Sequence, residues 1–402
     1  MPKATVCRIT PSARWRLLLL TSLLSLPLLV SFWTDHGARA HFERRALAQP
    51  PELALGTPHQ AFISATERYV NDHMGFSLAL NSLYRKAQFY LFQDSPVANI
   101  SVGENRFPFL NSHSADHPFQ RLKTICEPVD NITRAKQTLA DLHEALAARN
   151  VRLQVAMVPS KLALYPDRIP GSVPTTLAES CRRTIPTDMM AERLKAPLRA
   201  AGVHYIFPRA KLYDQRNETA FYPTENFHAE GWSGHLFAQE TLLAMGIDPG
   251  ESYSAEAELI TKDHDLNMLG FRREIRVWYF PYRKYDLTIK QRQPAWLRAW
   301  FPSQRNYRMV TTIVPASERR ALLLSNSFGD YVYRDLAPGF RSLVHMNINN
   351  VSTDEIRQFG SSMLTQADAT DLILLAHDGN LPLEKIASLI WSLKEQEQSP
   401  PR

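Results

Sequence analysis

Short apolar runs alternate with amphipathic segments along most of the chain. Six of the apolar runs have the length of buried strands, and they cover residues 151–158, 203–207, 309–314, 321–324, 343–348 and 372–376. Apolar residues at helical spacing fill much of the intervening sequence, at 131–150, 187–200, 233–245, 353–364 and 382–394. Strands that alternate with helices predict an α/β fold, in which helices cover both faces of a mostly parallel sheet.

Three further segments extend this predicted core. Residues 60–92 are typical of one or two helices around residues 71–76. Residues 100–102 and 107–110 flank a turn-forming sequence and predict a hairpin. Residues 256–281 are rich in β-branched and aromatic residues, which indicates a β-rich insertion in the α/β domain.

The N-terminal segment has the pattern of an export signal. Arg14 and Arg16 precede an apolar run at residues 17–33, and a positive flank of this kind stays in the cytoplasm while the remainder is exported. The run fits either a signal peptide cleaved after Ala40 or an uncleaved anchor helix in the membrane. A signal peptide cleaved after Ala40 would be long. Its length slightly favours the alternative of an anchor helix. We expect a leader at 1–40, a Pro-rich tether at 41–58 and a folded domain at 59–402.

The charge of the chain does not indicate a nucleic-acid partner. The formal net charge is +6, but the leader alone has five basic residues against Asp35, a net of +4 that leaves +2 for the rest. The sequence also lacks a basic stripe interleaved with aromatic residues. We therefore expect no nucleic-acid binding.

The cysteines are consistent with export. Cys7 lies on the cytoplasmic side of the leader, which leaves Cys126 and Cys181 as a pair in the exported part. Thiols in an oxidising compartment form disulfides, so we expect these two residues to be bonded, with two free buried thiols as the alternative.

A candidate catalytic residue lies just after the apolar run 321–324. A polar turn follows this run and contains Ser327, and about a hundred residues upstream lies the sequence Glu225-Asn226-Phe227-His228. Reactive groups of α/β enzymes gather at the carboxyl edge of the sheet, and a serine hydroxyl needs a histidine base to become nucleophilic. His228 would be that base, and either Glu225 or Asn226 would orient it. The pattern predicts an acid–His–Ser esterase or acyltransferase, with backbone N–H groups of the turn 327–329 as donors to an oxyanion.

Four segments of the chain resemble one family. Residues 71–76 are similar to its N-D-H-x-G-F segment, and residues 102–110 to its V-G-x-x-x-W-L-F-L hairpin. Residues 157–166 resemble its V-P-x-K-x-x-x-Y-P segment, and residues 324–328 its G-D-S-F nucleophile turn. The sequence is thereby similar to the alginate O-acetyltransferase group of SGNH-hydrolase-like proteins.

The resemblance implies a fold, a reaction and a setting. Members have an SGNH-type α/β fold and acetylate an exported polysaccharide in the periplasm through a seryl ester, with a membrane-bound O-acyltransferase partner supplying the acetyl group. Carried over by position, Ser327 is the nucleophile and His228 the base. The family motif D-x-H-W has its aspartate where this chain has Asn226, so Glu225 is the other candidate acid. Neither a cofactor nor a metal is expected.

Three further residues are candidates for substrate contact. Lys161 lies in the segment most similar to the family, Tyr222 precedes the histidine motif, and Asn326 replaces the aspartate of the nucleophile turn. Lys161 and Tyr222 also have structural interpretations, as support at a strand end and as a core aromatic residue. Two other functions stay open: a non-catalytic member of the same complex that binds polysaccharide or partner, and a periplasmic carbohydrate acetylesterase.

Overall fold

The computed structural model describes residues 11–31, 46–51, 58–95, 100–103, 107–111, 119–127, 132–185, 187–217, 221–223, 226–250, 257–263, 274–279, 287–290, 294–301, 307–379 and 381–398, with positions 33, 37 and 97. These residues fall into two compact units that divide after residue 92.

The first unit is helical. It contains α1 (Pro11–Ser31), α2 (His59–His73) and α3 (Ser77–Leu91). The last two are the helices predicted around residues 71–76, and Phe76 interrupts them with a φ of 64°. The predicted transmembrane anchor is not supported, because no helix among the described residues is long and apolar enough to cross a bilayer.

The second unit contains the strands and the remaining helices. The strands are β1 (Ile100–Gly103), β2 (Phe107–Leu110), β3 (Arg152–Val158), β4 (His204–Ile206), β5 (Glu258–Asp263), β6 (Glu274–Tyr279), β7 (Leu287–Lys290), β8 (Tyr307–Thr312), β9 (Arg320–Ser325), β10 (Ser342–Asn347) and β11 (Asp371–His377). The helices are α4 (Gln120–Cys126), α5 (Ile132–Ala147), α6 (Lys161–Leu164), α7 (Thr175–Thr184), α8 (Met190–Arg193), α9 (Lys195–Ala200), α10 (Arg209–Gln215), α11 (Trp232–Ala244), α12 (Ala295–Trp300), α13 (Gly329–Leu336), α14 (Thr353–Gln366) and α15 (Leu383–Gln398).

A seven-stranded sheet forms the centre of the second unit. Its strand order is β4–β3–β11–β9–β10–β8–β7. The first five strands run parallel, whereas β8 pairs antiparallel with β10 and β7 pairs antiparallel with β8. The predicted α/β fold with a mostly parallel sheet is confirmed, and all six predicted strands belong to this sheet. The edge strand β7 was not predicted.

Both faces of the sheet are buried. Along β9, Ala321 and Leu323 pack into one apolar cluster while Leu322 and Leu324 pack into another. Successive side chains of a strand point to opposite faces, so the two clusters lie on the two sides of the sheet. A strand buried on both sides reads as a continuous apolar run, which is why these strands were recognisable in the sequence.

Two hairpins lie outside the central sheet. Strands β1 and β2 pair antiparallel, with Ile100 opposite Leu110, and confirm the predicted hairpin. Strands β5 and β6 pair antiparallel within the predicted β-rich insertion, with Glu258 opposite Tyr279.

The predicted disulfide is present. Cys126 at the end of α4 is bonded to Cys181 in α7, and both side chains are buried. The bond joins two helices that pack against each other, in the apolar cluster that also contains Ile125.

Candidate active site

Ser327 lies in a turn at the carboxyl end of a central strand. Strand β9 runs between β10 and β11, and the backbone N–H of Asn326 still donates to the carbonyl of Leu375 in β11 at 3.2 Å. The chain then turns into α13 within three residues, and Ser327 remains half-buried at the tip of this turn. The turn is therefore hydrogen-bonded to the sheet at its N-terminal end and leads directly into α13 at its C-terminal end.

His228 lies within hydrogen-bond distance of this serine. Its Nε2 atom is 2.9 Å from Ser327 Oγ. The imidazole stacks on the ring of Tyr331 at 4.5 Å and packs edge-on against Phe328 at 4.8 Å. Both aromatic residues follow Ser327 in the chain, so the segment that carries the serine also supports the histidine ring.

Helix packing brings the two segments together. His228 precedes α11 and Ser327 precedes α13, and these two helices pack against each other. Gly231 connects His228 to α11 with a φ of 65°, and a Cβ there would lie 3.1 Å from the backbone N and O of Trp278 in β6. Only a glycine fits this close approach. The β-rich insertion contacts the segment that contains His228 at this point.

The side chain of Asn226 engages its own turn. Its Oδ1 accepts the backbone N–H of His228 at 3.2 Å, and its Nδ2 donates to Glu230 Oε2 at 3.0 Å. Asn226 is fully buried. Glu225 lies outside the described residues.

Lys161 and Tyr222 donate hydrogen bonds to the segment that contains His228. Lys161 is buried, its Nζ donates to the carbonyl of Asn226 at 2.6 Å, and it lies 3.9 Å above the centre of the Phe107 ring. The buried Tyr222 donates its hydroxyl to the carbonyl of Phe227 at 2.8 Å. Both side chains therefore donate to the backbone carbonyls of the two residues that precede His228.

Asn326 shapes the serine turn. Its Oδ1 accepts the backbone N–H of Phe328 at 3.1 Å, while its buried Nδ2 has no acceptor among the described residues. Asn326 also lines a cavity of about 600 Å³ together with Ile348, Asn349 and residues 381–385. A buried amide without an acceptor beside a cavity can donate to a bound oxygen atom.

One of the three backbone donors predicted in the turn has no acceptor. The N–H of Phe328 is bonded to Asn326 Oδ1, and that of Gly329 donates to the carbonyl of Asn326 at 3.0 Å. The N–H of Ser327 has no acceptor within the described part of the chain. It is therefore available to donate to an oxygen atom bound beside Ser327.

A second ionisable group lies at the same edge of the sheet. Asp378 follows β11 and accepts both the backbone N–H and the hydroxyl of Ser160 at 2.9 Å. Burial raises the pKa of Asp378 to about 6, against the opposing effects of the Ser160 hydrogen bonds and of the Arg121 charge. Burial also lowers the pKa of Arg121 to about 10.

The mostly parallel sheet and the Ser327–His228 contact at its carboxyl edge define the second unit as an SGNH-like α/β fold with a candidate Ser–His site. Residues 121–263 match the family described as SGNH hydrolase-like domain, acetyltransferase AlgX. The match confirms the predicted resemblance for this part of the chain, which contains Lys161 and His228 and ends before Ser327. The search of curated proteins found no match to this sequence.

The solved structures that are similar to this chain at low identity include the following three. Pseudomonas aeruginosa AlgX is 10% identical over 73% of this chain and 66% of its own, with a TM-score of 0.46. The O-acetyltransferase domain of Pseudomonas putida AlgJ is 11% identical over 73% of this chain and 99% of its own, with a TM-score of 0.42. Bacillus cereus PatB1 with a sulfonyl adduct is 14% identical over 64% of this chain and 91% of its own, with a TM-score of 0.46.

Proposed function

We propose that this chain is an exported O-acetyltransferase that carries an acetyl group on Ser327 and passes it to a hydroxyl of a polysaccharide. The observation that carries the proposal is the 2.9 Å contact between His228 Nε2 and Ser327 Oγ at the carboxyl edge of the sheet. A histidine at this distance can take the hydroxyl proton as the oxygen attacks. The family match over residues 121–263 supports acetyl transfer as the reaction class.

The reaction divides into two matched halves. Ser327 Oγ attacks the acetyl carbonyl of the donor while its proton moves to His228 Nε2, and this proton then leaves with the donor's oxygen as the donor ester bond breaks. In the second half an acceptor hydroxyl gives its proton to His228 and attacks the acetyl-serine. The bond to Ser327 breaks, and the serine oxygen regains a proton. The N–H of Ser327 would stabilise the oxyanion in both halves.

Glu225 is our candidate for the group that orients the imidazole. Asn226 occupies the position of the family's aspartate, but its Oδ1 is bonded to the backbone of His228 and its Nδ2 to Glu230. The remaining carboxylate in the motif is Glu225, three residues before the histidine. A carboxylate stabilises the imidazolium that forms during the reaction, which an amide does less well.

The remaining candidates have different proposed roles. Lys161 and Tyr222 would hold the histidine turn in place, since both donate to its backbone carbonyls. Asn326 would contact the substrate through its Nδ2 atom in the adjoining cavity. We propose a membrane-bound O-acyltransferase as the acetyl donor and the periplasm as the location. The leader pattern and the disulfide support export.

An acetyl-ester assay tests the proposal. The purified chain is given p-nitrophenyl acetate with and without an oligosaccharide acceptor, and Ser327→Ala and His228→Gln are compared with wild type. We expect acetylated oligosaccharide from wild type, near-complete loss in both variants, and an acetyl-enzyme that intact mass spectrometry assigns to Ser327. Ser64→Ala, at an exposed serine of α2, is the matched control and should retain full activity.

The same assay separates the other functions. Free acetate as the only product with every acceptor tested would indicate an acetylesterase. No Ser327-dependent turnover and no acetyl-enzyme would indicate a non-catalytic binding protein. Unchanged activity of Glu225→Gln would refute the assignment of Glu225.

A further inference from the structure

A second Ser–His pair lies directly behind the turn that carries Ser327. Ser325, the last residue of β9, and His345 in β10 are both fully buried. The Oγ atom of Ser325 is 2.8 Å from His345 Nε2 and 2.8 Å from the carbonyl oxygen of Asn326. The resemblance to the G-D-S-F turn gave Ser325 only the place of a glycine, so its side chain had no assigned role.

The directions of these two hydrogen bonds follow from chemistry. A carbonyl oxygen only accepts, so the single hydroxyl proton of Ser325 goes to Asn326 O. The bond to His345 therefore requires a proton on Nε2, with Ser325 Oγ as acceptor. The Nδ1 atom of His345 is buried and has no partner among the residues that the structure describes, as expected for the unprotonated nitrogen of a neutral ring.

The surroundings of His345 keep it neutral. Burial, with a smaller contribution from the charge of Arg308, lowers the pKa of His345 to about 3. The ring of Tyr333 stacks on it at 5.2 Å, and Asp330 Oδ1 approaches Nε2 only to 4.0 Å. A ring that stays uncharged and buried can act as a fixed donor, but not as a general base at neutral pH.

Gly329 fits over this pair. A Cβ at residue 329 would lie inside van der Waals contact with Ser325 Oγ and 2.9 Å from His345 Nε2. The N–H of Gly329 donates to the same carbonyl of Asn326 that Ser325 contacts. The first turn of α13 therefore packs directly against the side chains of Ser325 and His345.

We propose that Ser325 and His345 form a buried positioning pair. The pair fixes the orientation of the Asn326 carbonyl and thereby the direction in which the Ser327 side chain points out of the turn. Ser325 is not a second nucleophile, because it is fully buried and its proton is donated within the turn. The chain of bonds runs from the His345 ring to Ser325 Oγ, to Asn326 O and to the N–H of Gly329. This inference rests on the proposed role of Ser327 as nucleophile.

Paired substitutions test the positioning role. Ser325→Ala removes the link, His345→Met removes the donor, and His345→Gln retains an N–H donor near the position of Nε2. We expect the first two to lower kcat for p-nitrophenyl acetate by about 10-fold to 100-fold with little change in KM, because small misplacements of a reacting atom have effects of this size. His345→Gln should recover most of the rate. The double variant Ser325→Ala/His345→Met should lose no more than either single variant, because both break one chain of bonds.

Two further measurements separate positioning from general destabilisation. Leu364→Ala, a buried residue in α14, controls for lower stability and should leave kcat unchanged for the folded protein. Imidazole 15N chemical shifts should show His345 protonated on Nε2 and not titrating between pH 5 and pH 8. A charged His345, or a proton on Nδ1, would overturn the proposed bond directions whether or not Ser327 reacts.

Labelling of Ser327 by phenylmethanesulfonyl fluoride distinguishes the two proposals. If wild-type Ser327 is neither sulfonylated nor acetylated, the proposed function fails and the positioning role falls with it. If wild type reacts and Ser325→Ala reacts equally fast, only the positioning role is refuted. Additive losses in the double variant would refute it as well.

Discussion

The disulfide between Cys126 and Cys181 should contribute a large share of the stability of the second unit. The two residues are 55 positions apart in the sequence. Closing a loop of this length removes about 14 cal/mol/K of entropy from the unfolded chain, which corresponds to about 4 kcal/mol at 25 °C. Domains of this class are stable by only about 5–15 kcal/mol in total. Reduction of the bond is therefore expected to remove at least about a quarter of this stability.

Urea unfolding of oxidised and reduced wild type measures this contribution without any substitution. We expect reduction to lower the free energy of unfolding by about 4 kcal/mol. The double variant Cys126→Ala/Cys181→Ala should lose slightly more, because both sulfur atoms are buried and their removal leaves a cavity. Cys7→Ala is the control and should unfold like wild type in both redox states.

Two results would refute this reasoning. Equal unfolding midpoints for oxidised and reduced protein would show that the loop carries no entropic constraint in the unfolded state. Two free thiols at positions 126 and 181 in protein isolated from its own compartment would contradict the disulfide and weaken the argument for export.

The remaining predictions concern the surroundings of the site. Gly329→Ala should lower both the melting temperature and kcat, because its Cβ would overlap Ser325, and Ser325→Gly in the same chain should restore part of the stability. Asp378 has a folded pKa of about 6, above its ordinary value of 3.8, so the folded state binds the proton more tightly between these values. Stability should consequently fall by about 3 kcal/mol as pH rises from about 3 to about 8, most steeply between pH 4 and 6, and Asp378→Asn should abolish this component in urea unfolding. Lys161→Met should lower kcat and cost about 1–3 kcal/mol of stability, measured by thermal melting, because it leaves the Asn226 carbonyl without its charged donor.

The strands at the centre of the sheet were predictable because they are buried on both faces. Strands β9 and β11 read as apolar runs bounded by polar turns, and such runs have few other structural interpretations. The edge strand β7 was missed because it has only four residues and lacks a continuous apolar run. Short edge strands take their structure from the neighbouring strand, which a local sequence pattern does not contain.

The Ser327–His228 pair could be predicted from the order of the motifs in the sequence, whereas the groups that support the pair could not. The contact between the two residues joins positions 99 apart in the sequence. Ser325 was interpreted as a departure from a glycine, and His345 lies between the apolar residues Val344 and Met346 of β10. Their pairing depends on the parallel alignment of β9 and β10, which sets Ser325 opposite Asn347. Nothing in either local sequence specifies that alignment.

The two asparagines that depart from the family motifs have a common physical explanation. At both Asn226 and Asn326, the side-chain oxygen accepts the backbone N–H of the residue two positions later. An amide oxygen makes this turn as well as a carboxylate does, so the loss of charge leaves the backbone geometry intact. What an amide does not supply is a negative charge beside the imidazolium of His228. The structural and electrostatic roles of the motif aspartate are thus separable, and in our proposal Asn226 retains the first while Glu225 provides the second.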